Sequence, residues 1–425
     1  MSETPGLPSA PPGCRFCGAP LGTLVADLGS SPLANSYLEP DRLDGPEAFH
    51  PLAPRVCESC WLVQLPAVAT PEAIFGDYAY FSSYSTSWVE HARRFAVAAI
   101  ERYRLDASSL IVEAASNDGY LLRHFVERGL RVLGVEPAAN VARVAIENGV
   151  PSVVRFFGAE TARELVREHG PAQLFCANNV LAHTPYLNDF VAGVREILAP
   201  PSDAREDDAG GVATFEFPHL ERLVAENQFD TIYHEHFSYF SLAAVRRVFL
   251  AHGLEVFDVE ELPTHGGSLR LHVGRQGTRA IEPRVIAVTD RERAAGIETL
   301  AYYRQFAERV RETKRKLLEY LIAAKRAGLS IVGYGAPAKG NTLLNYCGVR
   351  TDFLDYTVDL SPHKQGRYLP GTRIPIHPPE KIRQTQPDRV LILPWNLADE
   401  ITRQMSDVRT WGGRFVVAIP EVREL

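Results

Sequence analysis

The chain has 425 residues, of which 45% are hydrophobic and 23% charged, a composition typical of a folded globular protein rather than a disordered or fibrous one. Its formal net charge of −7 gives no overall positive field, so no nucleic-acid partner is expected. No apolar run approaches the ~20 residues needed to cross a bilayer, and the N-terminus lacks the pattern of a signal peptide, so we expect a cytoplasmic protein without membrane contact.

A small metal-binding unit is predicted at the N-terminus, where residues 14–72 contain four of the six cysteines. Cys14 and Cys17 form one Cys-x-x-Cys motif, and Cys57 and Cys60 form a second, separated from the first by 39 residues. Four thiolates make a closed tetrahedral set with no open position for a substrate, so a structural zinc ion is expected. Reduced thiols without metal are the alternative.

An alternation of strands and helices follows, as is typical of a parallel α/β sheet. Apolar residues at helical spacing predict a helix from Trp88 to Tyr103. The predicted strands are Leu110–Ala114, Val132–Val135, Ala172–Ala177 and Val212–Phe217, and the predicted helices between them are Leu121–Glu127, Arg163–Glu168 and Leu187–Leu198. The Pro-, Asp- and Gly-rich segment Pro200–Gly211 is expected to be an exposed loop.

A long charged helical region from Asp290 to Ala327 is predicted to bridge two domains. Beyond it a second α/β rhythm begins, with predicted strands Ser330–Gly333, Tyr356–Asp359, Arg389–Leu393 and Phe415–Ile419. We therefore expect an α/β protein with a zinc-binding domain at residues 1–72, a central α/β domain at 73–285, and a helical bridge with a second α/β domain at 286–425.

The turn after the first central strand has the composition of a cofactor site. Glu113-Ala-Ala-Ser-Asn117-Asp118-Gly119 joins a strand to a helix, where backbone amides can approach a ligand closely. The next strand ends at Glu136-Pro137, an acidic position suited to the ribose hydroxyls of an adenosine, and Asn178 follows the third strand. Asp118 would repel a pyrophosphate but attract a sulfonium, which favours S-adenosylmethionine. A dinucleotide and an empty structural turn are the alternatives.

The segment Tyr233-His-Glu235-His236-Phe-Ser-Tyr-Phe-Ser is the densest polar and aromatic cluster of the sequence and is predicted to be an active-site loop. A carboxylate beside an imidazole can fix its tautomer and make it a general base near neutral pH. A metal site and an aromatic core loop are the alternatives, although the spacing of His-Glu-x-x-His is missing. The Tyr-rich loop around Tyr78 could donate phenol hydrogens to an oxyanion or pack at a domain boundary.

The turn Gly333-Tyr-Gly335-Ala-Pro-Ala-Lys339-Gly-Asn341 follows a strand and opens a helix. By letter it matches the Gly-x-Gly-x-x-Ala fingerprint, and Asp359 ends a later strand, so an NAD site is one interpretation. Lys339 and Asn341 would serve equally well to anchor the diphosphate of a nucleotide-linked substrate. Asp359 and Lys364 lie in a second polar loop near the same strand edge, with a solvated surface turn as its alternative.

Taken in order, the cysteine pairs, the Glu-Ala-Ala-Ser-Asn-Asp-Gly turn, the Tyr-His-Glu-His loop and the Gly-Tyr-Gly-Ala-Pro-Ala-Lys-Gly turn resemble the three-domain nucleotide-sugar C-methyltransferases over essentially the whole chain. The resemblance implies a zinc-binding lid, a Rossmann-like class I S-adenosylmethionine domain and a C-terminal Rossmann-like domain that holds a nucleotide diphosphate. It also implies methyl transfer to C-3 of a dTDP-linked 4-keto-deoxysugar destined for an antibiotic. Similar proteins use the C-terminal turn without a redox cofactor and can work as monomers.

The resemblance further implies roles for single residues. The cofactor-binding positions would be Asn117, Asp118, Gly119, Glu136, Pro137 and Asn178, and the nucleotide-sugar positions Gly335, Lys339, Asn341, Asp359 and Lys364. We predict that His236, oriented by Glu235, removes the C-3 proton, with Tyr78, His183 and Tyr233 positioning the sugar or stabilising the enolate. His183 is the alternative base. An NAD-dependent sugar-nucleotide oxidoreductase using Gly333–Ala338 and a non-catalytic zinc-containing binding module are the competing classes.

Overall fold

The computed structural model describes residues 13–68, 70–71, 82–201 and 209–425. The N-terminal unit is built from two-residue strands, which are β1 (Thr23–Leu24), β2 (Ser30–Ser31), β3 (His50–Pro51), β4 (Arg55–Val56) and β5 (Val63–Gln64). β1, β4 and β5 form an antiparallel sheet in that order, and β2 pairs with β3. Such short strands form few ladder hydrogen bonds, so the packing of this unit against the other domains and its cysteines have to supply much of its stability.

The central sheet has seven strands. The strands of this part of the chain are β6 (Leu110–Ala114), β7 (Arg131–Val135), β8 (Ser152–Val153), β9 (Leu174–Asn178), β10 (Val212–Pro218), β11 (Ser238–Tyr239), β12 (Leu254–Leu262) and β13 (Ser268–Arg275). The sheet order is β12-β13-β10-β9-β6-β7-β8, with β13 antiparallel to both of its neighbours. β6, β7, β9 and β10 confirm the four predicted strands. Every residue of β6 is buried, as expected for a strand covered on both faces.

The order of this sheet reverses between β6 and β9. After β6 the chain builds β7 and β8 on one side, and then it crosses to β9 and β10 on the other. Ligands of open α/β sheets bind in the crevice that such a reversal leaves at the carboxyl ends of the strands. Asn117 and Asp118 follow β6, and Asn178 is the last residue of β9, so the predicted cofactor residues border one crevice.

β11 joins the N-terminal unit instead of the central sheet. It pairs antiparallel with β5, with Ser238 opposite Gln64 and Tyr239 opposite Val63. The loop that carries His236 ends directly at β11, so the sheet of the N-terminal unit helps to fix its position. A two-residue strand has too little alternation for the sequence to predict this pairing.

The C-terminal sheet has six strands, which are β14 (Ile331–Tyr334), β15 (Thr357–Val358), β16 (Ile376–His377), β17 (Arg389–Ile392), β18 (Arg414–Val417) and β19 (Arg423–Glu424). Their order is β16-β15-β14-β17-β18-β19, with β19 antiparallel to β18 and the other pairs parallel. The four strands predicted in this region are thereby confirmed. As in the central sheet, the first strand, β14, lies in the middle.

The helical region predicted from Asp290 to Ala327 is helical, but it begins earlier and is divided into two helices, Pro283–Ala295 and Leu300–Arg326. Gly296 ends the first helix in the left-handed conformation, with φ 83°. Thr299 then caps the second helix by accepting the N–H of Tyr302. The second helix buries its apolar side in a core shared with the N-terminal unit and the C-terminal sheet.

The remaining helices connect the strands. They are Thr86–Tyr103, Arg123–Val126, Ala139–Glu147, Ala159–His169, Leu187–Ile197, Leu220–Ala225, Leu242–Ala251, Ala338–Cys347, Glu380–Thr385 and Ala398–Gln404. Short 3-10 turns lie at Pro40–Arg42, Ser82–Tyr84, Leu181–His183, Phe229–Thr231, Thr264–Gly266, Trp395–Leu397 and Ser406–Trp411. Within the described ranges, no helix is both long and apolar enough to pass through a bilayer.

Candidate active site

Four thiols converge in the N-terminal unit. The Sγ atoms of Cys14, Cys17, Cys57 and Cys60 all lie within 4.8 Å of one another, and the Cys14–Cys60 and Cys17–Cys57 pairs are 3.5 Å apart. Four Zn–S bonds of about 2.3 Å hold their sulfurs at about this spacing. The hydrogen bond from Cys60 lowers the pKa of the Cys14 thiol to about 4, so a thiolate is available to a metal. The four residues fit the predicted zinc ion.

The turn after β6 has an unusual backbone. Ala115, Asn117 and Gly119 all have positive φ, at 49°, 51° and 80°. A Cβ on Gly119 would lie 2.9 Å from a methyl group of Val150, so both backbone angle and packing require glycine there. A left-handed alanine is strained, and such strain concentrates at ligand sites.

Three buried oxygens on residues that border this crevice have no hydrogen-bond partner among the described residues. They are Glu113 Oε2, Asp118 Oδ1 and Asn178 Oδ1. The pKa of Glu113 is raised well above its ordinary value, first by burial and then by the charges of Glu136 and Asp118. Such an acidic, acceptor-rich edge suits the ammonium and sulfonium of S-adenosylmethionine and disfavours a pyrophosphate. The residues present therefore fit this cofactor.

Glu136 ties the turn to the end of β7. Its carboxylate accepts the N–H of Asn117 and the N–H of Ala138, both at 2.9 Å. Each carboxylate oxygen has a second lone pair, so these bonds leave acceptor capacity for the predicted ribose contact. Pro137 follows, half-buried.

Two histidines, His183 from the turn after β9 and His236 from the loop before β11, lie in contact with each other. His236 Nδ1 lies 2.9 Å from the carbonyl oxygen of Thr231, and His183 Nδ1 lies 2.9 Å from that of Glu235. Because a carbonyl only accepts, both Nδ1 atoms carry the proton and both Nε2 atoms carry the lone pair. The two rings are 4.7 Å apart, and the ring of Tyr233 is 4.0 Å from that of His236.

Burial keeps both imidazoles neutral. It lowers the pKa of His183 to about 4, and it lowers the pKa of His236 well below its ordinary value, with His183 as the next cause. The N–H of Phe237 donates to the carbonyl of Ala182 at 2.8 Å, which ties the histidine loop to the turn after β9. A neutral, anchored imidazole with its lone pair on Nε2 has the protonation state and the orientation that a general base needs, although burial also weakens its basicity.

Glu235 does not orient His236, which corrects that part of the prediction. The Glu235 carboxylate accepts a hydrogen bond of 2.7 Å from Asn35 Nδ2 of the N-terminal unit. Adjacent side chains in this loop point in different directions, so a backbone carbonyl holds the imidazole instead. Burial raises the pKa of Glu235 to about 7. Tyr78, predicted to help at this site, lies outside the described residues.

The C-terminal turn after β14 is filled by internal contacts. Asp359 accepts the N–H of Ala336 at 2.7 Å, and the Ala336 carbonyl accepts from the Tyr37 hydroxyl at 2.6 Å and from Lys364 Nζ at 2.9 Å. A Cβ on Gly335 would lie 2.5 Å from Pro394. The N–H of Ala336 is therefore already used by Asp359 and is not available to a pyrophosphate, which weakens the NAD interpretation.

Asn341 and Lys339 differ in their contacts, although both were predicted to bind a diphosphate. Asn341 is buried, and its Nδ2 donates to the carbonyl of Ala34 at 2.6 Å, so it attaches the N-terminal unit to the C-terminal domain. Lys339 is half-buried, with Nζ 2.7 Å from Asn396 Oδ1 and 4.6 Å from the centre of the Trp395 ring.

Family models of known proteins match three consecutive parts of the chain. A zinc binding domain matches residues 14–75, a methyltransferase domain 88–259, and a C-methyltransferase C-terminal domain 263–420. The C-methyltransferase NovU of Streptomyces niveus is 39% identical over 414 residues, which cover 96% of each chain. The chain belongs to the C-methyltransferase family. S-adenosylmethionine and structural zinc are the cofactors of this C-methyltransferase.

Solved methyltransferase structures resemble part of this C-methyltransferase. Magnesium protoporphyrin IX methyltransferase from Synechocystis PCC 6803 with bound S-adenosylmethionine is 14% identical, with a TM-score of 0.32, covering 48% of this chain and 89% of that chain. The S-adenosylmethionine dependent methyltransferase from Mesorhizobium loti is 13% identical, with a TM-score of 0.33, covering 44% of this chain and 100% of that chain.

Several residues near the histidines of this C-methyltransferase are not predicted from the sequence. Asn35 and Tyr37 come from the N-terminal unit and carry no motif. His265, at φ 56°, lies 5.3 Å from the ring of Trp88 and is followed by two glycines of positive φ. A histidine before two glycines is a signal that could have pointed to it. Trp395 directly follows β17 and Pro394, a position at the ligand edge of the sheet.

Proposed function

We propose that this C-methyltransferase adds a methyl group to C-3 of a nucleotide-linked 4-keto-deoxysugar, with dTDP as the nucleotide, in the biosynthesis of an antibiotic sugar. The observation that carries the proposal is the state of His236, whose Nδ1 is anchored 2.9 Å from the Thr231 carbonyl while Nε2 has no hydrogen bond from the described part of the chain. A carbon next to a ketone can become a nucleophile only if a base removes its proton.

The residues around His236 support this chemistry. His236 Nε2 takes the C-3 proton, and its neutral form at pH 7 is ready to do so. Tyr233 and His183, which pack against His236, position the sugar, and Tyr78 is assigned the same role. Bound S-adenosylmethionine supplies the electrophilic methyl group that C-3 takes up. This cofactor would be held beside the histidines by the residues of the central crevice, which are Asn117, Asp118, Gly119, Glu136, Pro137 and Asn178.

Each domain has one task in this proposal. Residues 1–72 form the zinc-binding lid, 73–285 hold S-adenosylmethionine and the base, and 286–425 hold the nucleotide diphosphate. Asn35, which donates to Glu235, and Tyr37, which donates to Ala336, support a lid that contacts both other domains. Gly335, Asp359 and Lys364 shape the nucleotide side by holding the turn at Ala336.

Mass spectrometry of product mixtures tests the proposal. The purified protein is incubated with S-adenosylmethionine and a panel of dTDP-4-keto-6-deoxysugars with and without a C-3 amino group. We expect the mass of one methylene to be gained on one sugar class. Binding of S-adenosylmethionine without methylation of any panel member would reject the proposed acceptor, and absence of binding would reject the proposed cofactor site.

A further inference from the structure

Two lysines lie near the carboxyl edge of the C-terminal sheet, and their surroundings differ. Lys364 donates to the Ala336 carbonyl and lies 3.6 Å from the carboxylate of Asp359, so a negative charge balances it. Lys339 donates to a neutral acceptor, Asn396 Oδ1, at 2.7 Å. Among the described residues, no carboxylate lies within 4.0 Å of Lys339 Nζ. Lys339 Nζ therefore has no direct counter-ion among the described residues; burial lowers the pKa of its ammonium group, and the charge of the more distant Asp230 opposes that shift.

The ring of Trp395 supports Lys339 and connects it to the central domain. Lys339 Nζ lies 4.6 Å from the centre of the indole, and Trp395 Nε1 donates to Asp230 Oδ2 at 2.7 Å. Asp230 is completely buried, and no described residue forms a hydrogen bond with its Oδ1. Burial raises the pKa of Asp230 to about 6, and the charge of Lys339 is the largest opposing influence.

The same short turn also holds the base. Two residues of the 3-10 turn Phe229–Thr231 make these contacts. The carboxylate of Asp230 accepts a hydrogen bond from the indole of Trp395, and the backbone carbonyl of the next residue, Thr231, accepts one from Nδ1–H of His236. The helix that begins beside Lys339 is attached to this turn as well, because the Thr342 hydroxyl donates to the carbonyl of Ile232 at 3.0 Å. Neighbouring residues of one turn thus fix both the imidazole of His236 and the indole of Trp395, which lies against Lys339.

The charge of Lys339 acts on the histidines. Burial lowers the pKa of His265 to about 4, with Lys339 as the second cause, and Lys339 is also among the causes that lower the pKa of His236. A Cβ on Gly266 would lie 2.6 Å from Trp395 Cη2, so the indole packs against the turn that carries His265. Lys339 therefore belongs electrostatically to the histidine group.

We infer that Lys339 stabilises the enolate oxygen of the substrate, and that Asp230 and Trp395 are positioning residues that hold its ammonium group near His236. The inference rests on the proposed function, because it requires a ketone beside the base. When the C-3 proton moves to His236 Nε2, the C–H electron pair enters the C-3–C-4 bond and the carbonyl π pair moves to oxygen. A fixed ammonium stabilises this oxyanion more than it stabilises the ketone.

Deuterium exchange at C-3 tests the inference without methyl transfer. A dTDP-4-keto-6-deoxysugar that the wild type methylates is incubated in D₂O with enzyme and S-adenosylhomocysteine, and incorporation is followed by mass spectrometry. The variants are Lys339→Gln, Trp395→Phe, which keeps an aromatic ring but loses the pyrrole part of the indole with its N–H, and Trp411→Phe, which makes the same chemical change. Trp411 is the matched control, because its indole donates to the carbonyl of Pro387 at 3.1 Å elsewhere in the C-terminal domain.

At saturating sugar we expect Lys339→Gln to slow exchange about a hundredfold, with its affinity for dTDP within about twofold of the wild type. Trp395→Phe should slow exchange about tenfold, again with little change in KM, and Trp411→Phe should match the wild type. Weaker dTDP binding with unchanged exchange in Lys339→Gln would overturn the inference in favour of a diphosphate anchor.

Two other results would also overturn the inference, at different levels. Equal exchange rates in Trp395→Phe and Trp411→Phe would reject the positioning role, because only the first variant breaks the bond to Asp230. A wild-type enzyme that exchanges no C-3 proton would reject the histidine base of the proposed function, and the inference with it. Because this last result is measured on the wild type alone, it separates a failure of the proposed function from a failure of the inference about Lys339.

Discussion

The two α/β sheets end their first strands, β6 and β14, in similar polar turns, but they use the polar groups differently. At the central sheet, one buried oxygen each of Glu113, Asp118 and Asn178 has no hydrogen-bond partner in the described ranges of the chain. At the C-terminal sheet, the carboxylate of Asp359 accepts the N–H of Ala336. The carbonyl of Ala336 accepts hydrogen bonds from Tyr37 and Lys364. The polar groups of Ala336 are thus used by the protein itself, whereas three oxygens of the central edge, and Asn341 Oδ1 further along the C-terminal turn, have no partner among the described residues.

This difference supports the assignment of the cofactor to the turn after β6 and of a joining role to the turn at Ala336. A buried polar atom without a partner costs about 1–3 kcal/mol, so an edge that keeps three of them is stabilised when a suitable ligand arrives. The C-terminal turn has no such deficit at Ala336, and part of its filling comes from Tyr37 of the zinc-binding unit. Its role is to join domains and to present Lys339.

We expect the largest effect, a loss of folding, from removing a zinc ligand of the N-terminal unit, which contributes Tyr37 to the C-terminal edge. Cys57→Ser removes one zinc ligand, and structural zinc contributes on the order of 10 kcal/mol to the folding of small zinc units. We expect poorly soluble protein without zinc, measured by metal analysis and by the yield of soluble chain. Cys347→Ser, at a buried cysteine outside the cluster, should keep its zinc. A soluble, active, zinc-free Cys57→Ser protein would contradict this expectation.

The base near the central edge should give the next largest effect. His236→Asn keeps a similar shape but loses the imidazole lone pair, so turnover should fall about 10²- to 10⁴-fold, the usual contribution of a general base. Initial rates of methyl transfer measure this effect. His183→Asn is compared in parallel, because both imidazoles are neutral and in contact. Near-normal turnover in His236→Asn, with a large loss in His183→Asn, would assign the base to His183 instead.

A matched pair of aspartates compares the two edges directly. Asp118→Asn should weaken S-adenosylmethionine binding about tenfold, because it removes a carboxylate from the edge that we assign to this cationic ligand. Asp359→Asn makes the same chemical change at the C-terminal edge and should leave that affinity unchanged. Calorimetric titration of both variants measures the difference. Equal weakening in both would mean that the two edges do not differ in the way proposed.

Much of the fold follows from local patterns in the sequence. Four cysteines in two pairs predict the zinc cluster, and buried apolar runs such as Leu110–Ala114 predict both sheets, because these patterns need only a few neighbouring residues. The break at Gly296 was not predicted, since a single glycine in a helical pattern does not by itself show where a helix ends. The pairing of β11 with β5 joins residues far apart in the chain, and a two-residue strand carries no periodicity that would reveal it.

The candidate site shows the same limit. The residue types in the Tyr-His-Glu-His loop predict a base, but sequence adjacency wrongly paired Glu235 with His236. The partner of His236 is a backbone carbonyl, and the partner of Glu235 is Asn35, 200 residues away in the chain. Side-chain directions within a loop depend on such distant contacts. Trp395 and Asp230 were missed for the same reason.

Glu235 connects the histidines to the zinc-binding unit, and the smallest effect that we predict comes from its titration. Its backbone carbonyl accepts from His183, and its carboxylate accepts from Asn35. Burial raises the pKa of this carboxyl to about 7 in the folded protein, whereas an unfolded glutamate titrates near about 4.3. Between these values the folded state binds more protons than the unfolded state, so the contribution of Glu235 to the free energy of unfolding decreases as pH rises.

Glu235→Gln removes this titration, so the variant should gain stability relative to the wild type between about pH 5 and 7, by about 1 kcal/mol per pH unit. Urea unfolding at several pH values measures the difference. Asn35→Leu provides the second arm, because losing the Asn35 hydrogen bond removes an influence that lowers the pKa of Glu235. Its loss of stability should therefore extend to higher pH than in the wild type. A pH-independent difference between Glu235→Gln and the wild type would show that Glu235 does not titrate in this range, and the contact between the zinc-binding unit and the histidine loop would then be insensitive to proton binding at Glu235.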